Sequence, residues 1–348
     1  MERPPLSEPR KTAPHPAAGR PTCLDGPVER ARVLLDAALG EWTARGLGPG
    51  LRHQLSGGKG LRPALSIWWG GRLGVPAAVA ERWGLAVELL HNAFLIHDDI
   101  EDGDRYRRGR PTLWVEFGIP VALNVADHLL AEAYRTIAAI PAPPEAIVGL
   151  VRDFSETHRR TVEGQALDLD HRGNATFDLD DYERIIRSKT GRYLALTWVG
   201  PARVAGWSQD QLELLWCLGD ELGPAFQIRD DVLDLTAGKG RGGEIGCDIR
   251  EGKPSILVAH ALSRAEHPPA DRDRLLAILA RERDETTEEE TRWAIDLFEA
   301  GGSIAFALSE ARRRAETGRT LLRKLPGLSE PVLAEFESIA TFLIDRKA

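Results

Sequence analysis

Two apolar runs with helical spacing, residues 78 to 102 and 209 to 235, are each about 25 residues long, and both close on the pattern Asp-Asp-x-x-Asp. Helices of that length span a small domain, so the rest of the chain has to be built around them. From Pro27 onward apolar residues recur at intervals of three and four, as in Val28, Ala31, Val33 to Leu35 and Ala38-Leu39, and period-two alternation is scarce. Breakers at Gly46 to Gly50, Gly57-Gly58, Gly70 to Pro76, Gly103 to Pro111, Pro141 to Pro144, Gly173 to Thr176 and Gly238 to Gly243 cut the pattern into helix-length pieces. The expectation is a single all-α domain over residues 27–348. Residues 1–26, with scattered Pro, Arg and Lys and little apolar content, read as a disordered tail. The charged stretch Arg281 to Arg292 reads as a solvated loop and helix face without a function.

Composition mainly excludes. The 348 residues carry 53 acidic and 45 basic side chains, a net charge of −8, so there is no global positive field for capturing nucleic acid. With 43% hydrophobic and 28% charged residues the chain resembles an ordinary globular protein, able to bury its core unaided. Cys23, Cys217 and Cys247 form neither a disulfide framework nor a cysteine metal site, which fits a reducing cytoplasm. No uncharged apolar run is long enough to cross a bilayer, and the N-terminus lacks the apolar core of a signal peptide.

Asp98 and Asp102 stand four apart in His97-Asp98-Asp99-Ile100-Glu101-Asp102 and share a helix face, an arrangement that repels itself unless a cation is present. Hard cations such as Mg²⁺ prefer carboxylate oxygen and commonly bridge to substrate phosphate. In a chain this acidic, one such cluster arises by chance about once. The repeat at Asp230-Asp231-Val232-Leu233-Asp234 makes coincidence hard to sustain, and if the two helices pack side by side their acidic ends face each other across a cavity. The alternative is two solvated helix ends. Basic groups stand beside breakers at Gly57-Gly58-Lys59-Gly60-Leu61-Arg62-Pro63, Arg107-Arg108-Gly109-Arg110-Pro111, Lys189-Thr190-Gly191 and Gly252-Lys253-Pro254. Singly these are ordinary soluble turns; together they are the kind of groups that hold phosphate.

In this order, and together with Gly164-Gln165 and Phe226 to Asp234, the motifs resemble the trans-isoprenyl diphosphate synthases, or polyprenyl synthetases, from about Gly57 to Ser255. The resemblance implies an all-α bundle around a central active-site cavity, usually a homodimer. It also implies an enzyme that joins isopentenyl diphosphate head to tail with an allylic diphosphate (dimethylallyl, geranyl or farnesyl) and releases pyrophosphate. By motif matching, Asp98, Asp102 and Asp230 ligate Mg²⁺, three ions per site with Mn²⁺ as a possible substitute, and Asp99, Asp231 and Asp234 lie in or beside those shells. Lys59, Arg62, His91 and Arg108 hold isopentenyl diphosphate, whereas Arg107, Lys189, Thr190, Gln227 and Lys253 hold the allylic diphosphate. Gln165 falls on a helix that lines the family's pocket.

The chemistry fits these residue types. Cleaving an allylic carbon–oxygen bond leaves a carbocation and pyrophosphate, and metals and cations aimed at the developing oxyanion lower that barrier without a protein nucleophile. His97 is therefore read as structural rather than as a general base. Many family members carry a lysine shortly before Ile-Gly-x-Asp. This chain has Gly243-Glu244-Ile245-Gly246-Cys247-Asp248 instead, with Lys239 or Arg241 as substitutes from the glycine-rich loop.

Phe94 lies one turn below Asp98 and Ala93 beside it, in the path of a growing apolar tail; the alternative reading of Phe94 is a core aromatic. In the family, bulk at these positions limits product length. A small residue beside an aromatic, with no insertion in the first acid motif, implies a geranylgeranyl product, with farnesyl or longer chains as alternatives. Two other readings are a class I terpene cyclase, for which Asn124, His128 and Glu132 have the second-motif spacing, and a noncatalytic subunit of a heteromeric prenyl synthase.

Overall fold

A computed structural model describes residues 19–42, 47–237, 244–264 and 268–344. The chain is a helical bundle in which α1 (Asp25–Trp42), α2 (Gly48–Leu55) and α3 (Leu61–Arg72) lead to the long central helix α4 (Ala77–Glu101). Helix α4 buries residues on every side, among them Val79, Trp83, Val87, Leu89, Leu90, Ala93 and Ile96, as expected of a helix enclosed by others. Its neighbours are α3, α6 (Ile119–Ala138) and α9 (Arg192–Val204), and the Trp83 indole donates to the Leu196 carbonyl at 2.8 Å. Burying one Leu or Ile is worth roughly 1.5–3 kcal/mol, whereas one like-charge pair on a helix face costs only about 0.5 kcal/mol. Packing along α4 therefore carries the acids at its end, even though their charge opposes the helix dipole there.

The remaining helices complete two adjoining cores. Helix α5 (Leu113–Phe117) precedes α6. Helix α7 (Pro144–Asp170) and α8 (Leu179–Ile186) run into a single π turn, Arg187–Gly191, before α9. Helix α10 (Gln209–Ala237) is the second long run, packed on α9 and on α15 (Ser303–Leu322). The second core is built from α8, α12 (Ile256–Ser263), α13 (Pro269–Leu279), α14 (Glu288–Ala300) and α15; α11 (Cys247–Arg250) lies beside it, and α16 (Glu330–Ile344) returns to the first core.

Three expectations change in detail. Thr22–Leu24 forms a 3₁₀ turn and Leu24 is fully buried, so ordered structure begins ahead of Pro27, because Leu24 and Val28 seal one edge of the first core. Helices α4 and α10 are not in extensive direct contact; each packs against α9. The breaker at Gly103 to Pro111 contains a two-residue β-hairpin, with Tyr106 opposite Pro111 and Arg107 opposite Arg110, the only sheet among the described residues. Lys239 and Arg241 lie outside the described residues.

Candidate active site

The C-terminal turn of α4 carries the first acid cluster into a ring of cations. Asp102 is buried and accepts from Arg172 on one oxygen, while Lys253 Nζ stands 2.9 Å from the other. Burial opposes its charge, but Lys253, Lys189 and Arg172 hold the Asp102 carboxyl well below the usual carboxylate range. Asp99, also buried, accepts from Arg107 Nε; burial nonetheless pushes its pKa up to about 7 against the pull of that guanidinium. Asp98 is half-buried with Lys189 Nζ 3.9 Å away, and burial, reinforced by Asp102, raises its pKa despite Lys189 and Lys253.

Lys189 sits in the π turn before α9, a local irregularity of the kind often found at functional sites. Its ammonium pairs with Asp168 of α7 at 3.1 Å. Burial opposes the charge on Lys189, but Asp168, Asp98 and Asp102 outweigh it and raise its pKa. The adjacent Thr190 is half-buried in the same turn. Lys253 is aimed by a tight turn at Gly252, whose φ is +65° and whose absent Cβ would fall 2.2 Å from the Leu279 carbonyl oxygen, so only glycine fits.

The second cluster joins the first through this segment. The backbone N–H of Asp248 donates to Asp234 at 3.0 Å, and the Asp248 carboxylate is 3.6 Å from Lys253, which itself contacts Asp102. Gln227 donates to Asp231 at 2.8 Å, while Asp230 stands half-buried on the same helical turn.

A second basic group gathers around His91, two turns before Asp98 on α4. Arg108 and Gly109 both have positive φ, +54° and +72°, as the two central residues of a type I′ hairpin turn require. Arg108 bears the strain of a left-handed conformation that a non-glycine residue rarely adopts. The turn brings Arg108 close to Gly58, whose absent Cβ would lie 3.4 Å from the guanidinium, so the loop carrying Lys59 adjoins Arg108. Arg62 lies over the Tyr193 ring, 5.1 Å from its centroid, and its buried Nε has no hydrogen-bond partner among the described residues. Burial, then Arg62, Arg108 and Arg107, push His91 well below its ordinary pKa and keep it neutral. Glu88 is buried between these arginines, and burial raises its pKa against them. Arg107, Arg108 and Arg110 line a cleft with His53, Gln54 and Asp99.

Ala93 is fully buried in the first core, and the Phe94 ring stands edge-on to His158 at 5.6 Å and to Tyr193 at 6.1 Å. Gln165 donates to Glu101. The cyclase-like residues do not gather: Asn124 is exposed and donates to Pro120, and Glu132 pairs with Arg135.

Sequence reasoning missed Asp168, Arg172, Asp104, Glu251 and Arg283. Arg283, inside the stretch read as a solvated loop, is only 17% exposed and bonds Asp104, Glu251 and Glu244, because buried acids on two other loops need its charge. Glu251 in Glu-Gly-Lys and Arg172 just ahead of Gly173 stand beside breakers, the one signal that would have marked them.

As oxygen donors the acids suit a hard divalent ion by chemistry, and one buried oxygen, Asp168 Oδ1, has no hydrogen-bond partner among the described residues. No three His, Cys, Asp or Glu side chains among those residues enclose an ion by themselves, so the remaining ligands would come from outside the protein, as when Mg²⁺ bridges to phosphate.

The polyprenyl synthetase family model matches residues 48–298. A geranylgeranyl pyrophosphate synthase of Geoglobus acetivorans is 31% identical over 323 residues, 91% of this chain and 97% of that protein. A (2E,6E)-farnesyl diphosphate synthase of Mycobacterium tuberculosis is 30% identical over 297 residues, 84% of this chain and 80% of that protein. Among solved structures, the polyprenyl synthase of Caulobacter crescentus, complexed with calcium and isoprenyl diphosphate, superposes with a TM-score of 0.82 at 26% identity, covering 96% of this chain and all of that one. No helix among the described residues is long and apolar enough to cross a membrane. The chain is an all-α prenyltransferase of the polyprenyl synthetase family.

Proposed function

We propose that this chain condenses isopentenyl diphosphate head to tail with a dimethylallyl, geranyl or farnesyl diphosphate, releasing pyrophosphate, and that its main product is geranylgeranyl diphosphate. The observation that carries the reading is the presence of two distinct cation groups along the C-terminal part of α4: Arg62 and Arg108 beside His91, and Lys189 and Lys253 beside Asp98 and Asp102. A reaction between two diphosphates needs two such groups.

Lys59, Arg62 and Arg108 hold the diphosphate of isopentenyl diphosphate, with neutral His91 contributing a hydrogen bond rather than charge. Arg107, Lys189, Thr190, Gln227 and Lys253 hold the allylic diphosphate, and the lysines shift from their carboxylate partners towards its oxygens. Asp98, Asp102 and Asp230 hold Mg²⁺, with Asp99, Asp231 and Asp234 supporting them. When bound, the metal supplies positive charge against the developing pyrophosphate. Arg107, Lys189 and Lys253 add fixed positive charge at the same leaving group, which lowers the barrier to ionisation. The apolar walls around Phe94 exclude water from the cation, and the isopentenyl double bond attacks it. No side chain is assigned as general base; the proton leaves with pyrophosphate.

The support for a twenty-carbon product is Phe94 one turn below Asp98 with fully buried Ala93 at its side. Relatives of similar identity carry geranylgeranyl and farnesyl names, so chromatography of the products from each allylic primer decides. Twenty-carbon material is expected to accumulate, and fifteen-carbon material alone would refute it. The enzyme acts in the cytoplasm as a homodimer.

A further inference from the structure

We propose that Arg283, in the loop between α13 and α14, is a positioning residue for prenyl transfer that sets where Arg107 and Lys253 present their charge to the allylic diphosphate. Its guanidinium NH1 stands 2.5 Å from Asp104 and 2.7 Å from Glu251, and its NH2 stands 3.0 Å from Glu244. Each of the first two acids passes the contact on. Asp104 lies 3.5 Å from Arg107, which bonds Asp99. Glu251 lies 2.7 Å from Lys253, which stands 2.9 Å from Asp102. Asp99 and Asp102 are neighbours on one turn of α4, so the two arms close into a ring of alternating charge with Arg283 at its far side.

The physical consequence is competition. The side chains of Asp104 and Glu251 are buried, and buried carboxylates require cations. With Arg283 present each acid is partly satisfied from behind, which leaves Arg107 and Lys253 on the acid cluster of α4. Without it, both acids draw those two cations inward, away from the rim. Glu244 adds a second reason, since it meets the same guanidinium. A bare carboxylate there would repel the allylic diphosphate, and Arg283 neutralises it together with Arg250, 3.7 Å away. Arg62 and Arg108 make none of the ion pairs of this ring, so the isopentenyl diphosphate KM is expected to change little.

The inference rests on the proposed prenyl transfer and is tested on the full chain with Mg²⁺, geranyl diphosphate and isopentenyl diphosphate, recording both Michaelis constants and the melting temperature. Arg283→Ala is expected to raise the allylic KM about tenfold while the isopentenyl KM stays within about twofold, the mark of a misplaced binding charge. Arg283→Lys is expected to recover most of the allylic KM, because the single NH1 nitrogen makes both acid contacts. Arg283→Gln, similar in shape but neutral, serves the same comparison if the alanine variant does not fold. An unchanged allylic KM, an equal rise in both constants, or a lysine variant no better than the neutral ones overturns the positioning role. A wild-type chain without isopentenyl-dependent turnover overturns the functional reading and this inference together. An active wild type with an unaltered Arg283 variant overturns the inference alone.

Discussion

Lys253 Nζ lies 2.9 Å from the Asp102 carboxylate and 2.7 Å from that of Glu251, so the lysine assigned to a substrate diphosphate is already held between two buried anions. The pairing holds the ammonium at the rim and keeps Asp102 ionised. Lys253→Ala leaves both carboxylates short of a cation, and the expected cost is about 3 kcal/mol of stability, read by urea denaturation. The allylic KM should rise about tenfold in the same variant. A variant as stable as the parent would show that Arg172 and Arg283 alone satisfy the two acids.

Phe94 stands edge-on between His158 and Tyr193, one turn below the acid cluster. Phe94→Ala opens that space in the path of the tail, and products longer than the parent's are expected on chromatography. An unchanged product length would assign the floor of the pocket to another residue.

Asp220 of α10 is half-buried against Gly191, and its partial burial pushes its pKa up to about 6 despite Arg192 and Arg187. A carboxyl raised in the folded state stabilises the fold while it is protonated. That contribution is fully present below the ordinary value of 3.8 and is lost as the pH climbs to about 6. Asp220→Asn removes this dependence, so melting temperatures of parent and variant recorded from pH 4 to pH 7 should diverge with the variant gaining as pH rises. Parallel curves would place the Asp220 pKa near that of an exposed carboxyl.

The acid oxygens around α4 suit a hard divalent ion that bridges to a phosphate. Chelating divalent metal is therefore expected to abolish turnover, and Mg²⁺ with pyrophosphate should raise the melting temperature more than the sum of either alone. Additive shifts would mean that metal and anion bind apart.

The helices and the order of the motifs were legible because both are local properties. Asp98 and Asp102 share a face by virtue of their spacing, and Arg108-Gly109 announces a turn by composition. What escaped was pairing over distance. Arg172 meets Asp102 from 70 residues away and Arg283 meets Asp104 from 179, and no pattern near Arg283 separates it from the exposed charges around it. The same limit applied to α4 and α10, whose matching ends do not by themselves say that both helices pack on α9. The burial of Leu24 in the first core likewise depends on distant partners, and the short Cys23-Leu24 pair shows no helical period that would announce it.

The central claim is that two distinct cation groups along α4 serve two diphosphates in one transfer. Release of pyrophosphate by the purified chain with Mg²⁺ and geranyl diphosphate, measured with and without isopentenyl diphosphate, tests it most directly. Release that requires isopentenyl diphosphate and yields a lengthened all-trans prenyl diphosphate is the expected result. Release from geranyl diphosphate alone, or none with both substrates, would contradict it.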